Sequence, residues 1–235
     1  MPEQANGPVG RVREYVRDAP VIGAILVGGA SYLLGFVITY LFVLVDGGLD
    51  AQSSTDAAVA ETGVFQQSGL VGFPQPEPTT MEFVGWIFYN AHFADTVITP
   101  RVAGRGGQGG AQTQTAPESI NFLSTASTQI PSVVYQLVPV LLLAAGGYAI
   151  ARAADISVSR DIVRIGLGVP IGYVPLALLG TFLFRTSTTA ESEGIEVTVS
   201  ASPSLVGPVS MAVISTLFGI VGLYLGAQSG DDERE

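Results

Sequence analysis

The chain of 235 residues has no cysteine, and its ten basic residues include no lysine. Without a thiol there is no disulfide, no thiolate-held metal and no cysteine nucleophile. Histidine and tryptophan occur once each, as His92 and Trp86. Charged residues make up 13% of the chain, about half the share of a soluble domain. The scarcity is concentrated: residues 19–45, 131–151, 165–184 and 205–227 hold no Asp, Glu, Lys or Arg. A pump or ion-coupled carrier needs an ionisable group at mid-depth, so these empty stretches weigh against that class. None of them joins a nucleophile to a base.

What the stretches do contain is apolar, and a run of about 20 such residues matches the ~30 Å hydrocarbon layer of a bilayer. The sequence therefore predicts an all-α membrane protein with spanning helices at 20–45, 131–153, 161–184 and 203–228. The short turn 154–160 holds Arg160 and is flanked by Arg152 and Arg164, and cationic short loops stay in the cytoplasm. Residues 1–19, with Arg11, Arg13 and Arg17, and the tail 229–235 then lie inside as well. Segments 46–130 and 185–202 lie outside. Pro20 is expected at the start of the first helix, where its missing N–H would be unpaired anyway.

The outer segment 46–130 is uneven. Residues 46–80 and 103–117 are rich in Gly, Gln, Ser, Thr and Pro and read as chain without a fixed conformation. Between them, Phe83, Trp86, Ile87, Phe88, Ala91, Ala94 and Ile98 recur at helical spacing, which predicts a one-sided apolar helix over 81–98 lying on the membrane surface. Phe83, Trp86, Ile87 and Phe88, with His92 and Asp95, are its interaction candidates. His92 and Asp95 stand one helical turn apart, but two groups are too few for a metal site, and no nucleophile accompanies them. Residues 118–130 read as a second short helix, and IEVTVSA in 185–202 alternates as a strand does. The net charge of −10 makes nucleic acid a poor partner.

Inside the spans, Ser215, Gly219, Gly222 and Gly226 align on one face of the fourth helix. Gly168 and Gly172 in the third, and Ala24, Gly28, Ser31 and Gly35 in the first, make comparable seams where helix backbones can approach. Pro170 and Pro175 predict kinks in the third helix. These features serve packing within the bundle, with homo-oligomer contact as the other use.

The four-span layout, the lysine-free acidic composition and VGWIFYNAHFADT at 84–96 together resemble an uncharacterised family of halophilic archaeal membrane proteins. The resemblance implies a multi-pass protein of the cell membrane and carries over no activity, cofactor or catalytic residue. The reading is thus a non-enzymatic structural or interaction protein whose partners are the bilayer and another membrane protein or a second copy. It needs no metal or cofactor. Its rivals are a small channel or transporter for a neutral solute built on the kinked third helix, and an enzyme with an outer site at His92 and Asp95.

Overall fold

The computed structural model describes residues 8–46, 50–62, 75–104, 113–114, 116–125, 128–154, 156, 161–192 and 195–232. Four helices in it are long and apolar enough to cross a membrane. The chain is mostly helical, but it also folds a five-stranded sheet, which corrects the all-α expectation.

Helix α1 runs Pro8–Val45 and begins well before Pro20, which sits inside it and leaves one carbonyl without its helical donor. A short helix α2, Ala51–Thr62, forms within the stretch read as unstructured. Helix α3 is Thr80–Asn90. The expected helix 81–98 is cut short because the chain turns at 91–93 and continues as strand β1, Thr96–Gly104. Strand β2 is Thr113–Gln114 and β3 is Glu118–Ile120, so the low-complexity segment and the expected helix 118–130 both contribute to the sheet. Of that helix only α4, Phe122–Thr125, is helical.

The second spanning helix is α5, Ser132–Ala153. The third is divided into α6, Asp161–Gly166, and α7, Gly168–Leu183. The division at Leu167 falls where Pro170 cannot donate to the carbonyl four residues back, that of Gly166. Pro175 lies inside α7. Arg152 and Arg164 are exposed in the last turns of α5 and α6, whereas Arg160 lies outside the described residues. Strands β4, Thr186–Ser192, and β5, Ile195–Pro203, follow, then helix α8, Gly207–Asp232. The start expected at 203 is displaced because Pro203 completes β5. The other end runs beyond 228 to Asp232.

The sheet order is β2-β1-β5-β4, with β3 also on β1, and every pairing is antiparallel. Strand β1 pairs with β5 over its whole length, from Thr96 opposite Pro203 to Gly104 opposite Ile195. Its other edge is shared by β3, opposite 96–98, and β2, opposite 101–102. Pro100 falls in the gap between those two, the one place where an interior strand tolerates a residue that cannot donate. The sheet is one-sided. Ile98, Val197, Val199 and Ala201 are buried on one face, while Ser187, Thr189 and Arg101 are exposed on the other.

The chain divides into two compact units. One comprises 1–34, 139–176 and 211–235 and consists of helix segments joined along glycine seams. A Cβ on Gly28 would lie 2.0 Å from the Val169 carbonyl oxygen, and one on Gly172 1.9 Å from that of Ile25. A Cβ on Gly147 would lie 2.3 Å from the Gly219 carbonyl oxygen, and one on Gly222 2.0 Å from that of Ala144. Gly219 lies against Val169, Gly226 against Tyr148 and Ala151, and Gly168 against Ala24. At these glycines the close neighbours belong to the same chain, and Ser215 on α8 is fully buried. The other unit comprises 35–138 and 177–210 and holds α3 and the sheet.

Candidate functional site

The distinctive segment 84–96 is the centre of the sheet-bearing unit. Helix α3 starts where Thr79 caps it. The Thr79 Oγ1 accepts from the Glu82 backbone N–H at 3.3 Å, and the Glu82 carboxylate accepts from the Thr79 N–H at 2.7 Å. This Thr-x-x-Glu pattern is a capping box, and it starts the helix slightly ahead of the expected 81. From Phe83 to Asn90 every residue of α3 is buried, and the helix packs on β1 and β5.

The expected one-sided surface helix is corrected here. Phe83, Trp86, Ile87, Phe88 and His92 have no exposed surface, so they offer no outer face to a partner or a headgroup. Their polar atoms hold the unit together. Trp86 Nε1–H donates to the Phe184 carbonyl at 2.7 Å, and its ring stacks on Phe122 with centroids 5.6 Å apart. Gly85 makes room for this, since a Cβ there would sit 2.2 Å from the Phe184 ring. The Tyr89 hydroxyl donates to the Ala177 carbonyl. Asn90 uses both ends of its amide, donating to the Ala94 carbonyl at 2.8 Å and accepting from the Phe122 N–H at 2.8 Å.

His92 and Asp95 are given different partners. The ring of His92 shares its Nδ1 with the Phe88 carbonyl at 2.7 Å, which requires the proton on that nitrogen. Burial pushes its pKa down from 6.5 to about 4, with the Phe88 bond opposing. Asp95, half-buried, accepts from the Asn121 side chain at 3.1 Å. Among the described residues no group of three or more His, Cys, Asp or Glu side chains is placed to hold a metal.

The buried neutral ring has a pH consequence. The unfolded chain protonates His92 near 6.5 but the folded chain only near 4. Stability is therefore fully present above 6.5 and falls as the pH drops toward 4, by up to about 3 kcal/mol. A pH series of thermal unfolding in detergent should show this decline, and His92→Gln should flatten it.

One residue of this region was missed in the sequence. Asp46 reads as the first acid of a solvated loop, yet it is only 2% exposed. Its carboxylate accepts from the Gln129 and Ile130 backbone N–H groups at 2.8 and 3.1 Å and from the Tyr135 hydroxyl at 3.1 Å. It thereby ties the end of α1 to the start of α5. A carboxylate at a helix C-terminus opposes the helix dipole, and the three donors offset that. The only sequence signal was its position directly after a charge-free run. Beside it lies a cavity of about 330 Å³ lined by Val43, Leu44, Asp46, Asp50, Ala51, Thr80 and Phe83. Asp50 accepts from the Ser53 N–H at 2.9 Å, which holds its carboxyl below the usual carboxylate range. On the third helix, the space beside Gly172 is taken by the Ile25 backbone.

Four apolar helices of spanning length, with a small sheet folded from two of the segments that connect them, make this the architecture of a multi-pass membrane protein. Comparison with known families narrows the class. The chain belongs to the family of unknown function DUF7978, whose model matches residues 9–228. No curated protein and no solved structure matches it.

Proposed function

We infer that this is a four-pass membrane protein with both termini in the cytoplasm, acting as a non-enzymatic structural or interaction protein through its outer sheet-bearing unit. The observation that carries the reading is the nine-residue pairing of β1 with β5. These strands come from two different connections, one between α1 and α5 and the other between α7 and α8. They can pair only if both connections lie on one side of the bilayer, and the two spans between them bring that about. The exposed arginines at the ends of α5 and α6 favour the cytoplasm for the opposite side.

The interaction element moves from α3 to the sheet. Its open face carries rows of hydroxyls in register, Ser187 with Ser200 and Thr189 with Thr198, the last pair bonded at 2.9 Å. Such a face is polar and regular.

Because the chain has no cysteine, single cysteines can be placed at 104, 156 and 195 and near the C-terminus. A membrane-impermeant maleimide applied to intact cells should label 104 and 195 only. Labelling at 156 would reverse the sidedness. Photo-crosslinkers at Thr189 and Thr198 should yield a discrete adduct with another membrane protein or a second copy. No adduct from either position would remove the interaction role.

A further inference from the structure

We propose that Phe93, Leu205 and Val206 form an apolar tip that inserts into the bilayer beside the start of α8; this rests on the four-span reading. Most large exposed apolar side chains lie on the spanning helices, but these three lie in turns, at 65%, 77% and 67% exposure. A turn facing water would hold polar residues at such positions.

The two turns are joined to each other. The Ser204 N–H donates to the Asp95 carbonyl at 2.8 Å, and Gly207 sits so close to Tyr89 and Ala94 that a Cβ would lie 2.9 and 3.1 Å from them. Phe93 therefore stands next to the first residues of α8. It does so at a positive φ of 60°, a conformation that glycine or asparagine adopts readily and an aromatic residue resists. A strained aromatic held outward is the arrangement that merits a role beyond the turn.

The occupant follows from continuity. Beyond Leu205 and Val206 the exposed apolar stripe continues along α8 through Val209 and Val213. If lipid covers the stripe, it also reaches its first residues. An aromatic ring at that level suits the boundary between headgroups and acyl chains. Insertion to about 5 to 10 Å, as interfacial segments reach, is the expected depth.

The test uses the full chain in phosphatidylcholine vesicles with spin labels on single cysteines, Phe93→Cys, Val206→Cys, Val213→Cys and Thr189→Cys. Accessibility to oxygen relative to a water-soluble nickel chelate should be several-fold higher at 93, 206 and 213 than at 189. Phe93→Trp supplies a second readout that keeps an aromatic ring: brominated lipid should quench it more strongly than the parent chain, whose Trp86 is buried. If 93 and 206 match 189 while 213 remains in lipid, the tip is wrong and the spanning reading stands. If 213 is also aqueous, both fail. Protection of 93 from both reagents would mean that protein covers it, which also overturns the proposal.

Discussion

Trp86→Ala should lower the unfolding free energy in detergent by about 3 to 5 kcal/mol, the range for removing a fully buried large aromatic side chain. Three losses coincide at this position. The ring leaves a cavity where it stacked on Phe122, the edge contact with Phe83 at 6.3 Å is lost, and the Phe184 carbonyl loses its donor. Trp86→Phe separates them. It keeps most of the ring and loses the hydrogen bond, so it should fall between the parent and the alanine variant, about 1 to 3 kcal/mol down. Circular dichroism must follow the transition, because the variants lose the only tryptophan. If Trp86→Ala unfolds at the parent temperature, α3 is not the centre of its unit.

Gly28→Ala should disrupt the helical unit, while Gly23→Ala, five residues earlier on α1, should not. The added methyl of the first would fall 2.0 Å from a backbone oxygen of Val169, and a backbone atom has no rotamer to escape into. The helices must separate, at a cost at or above the upper end of the range of about 1 to 3 kcal/mol seen for overpacking. Gly23 has nothing within 4 Å of its would-be Cβ, so alanine there gains up to about 1 kcal/mol of helix propensity. Gly172→Ala repeats the clash from the other side of the same seam, against the Ile25 oxygen. Equal melting temperatures for Gly28→Ala and Gly23→Ala would mean that the seam is not formed.

The spans were legible because some 20 apolar residues in a row without a charge are seldom found anywhere but across a bilayer. The seams were legible too, since small residues one and two turns apart have little use except close approach. The sheet was legible only at β5, where IEVTVSA alternates. Strand β1 hides its pattern behind Pro100 and a terminal glycine, and its partner lies beyond two further spans. The role of α3 was misread for a physical reason: apolar side chains do not record whether lipid or protein will cover them. Asp46 shows the converse. A carboxylate after an apolar run looks solvated, and only the fold reveals the N–H groups of 129 and 130 waiting for it.

The antiparallel match between β1 and β5 also sets a timetable. During synthesis, β1 emerges before α5, α6 and α7 have been made, and it has no long neighbour until translation has passed Pro203. Insertion of the second and third spans, which lie between the two strands, must therefore precede maturation of the sheet. A ribosome stalled before β5 should leave β1 open to protease, in a chain whose first two spans are already seated.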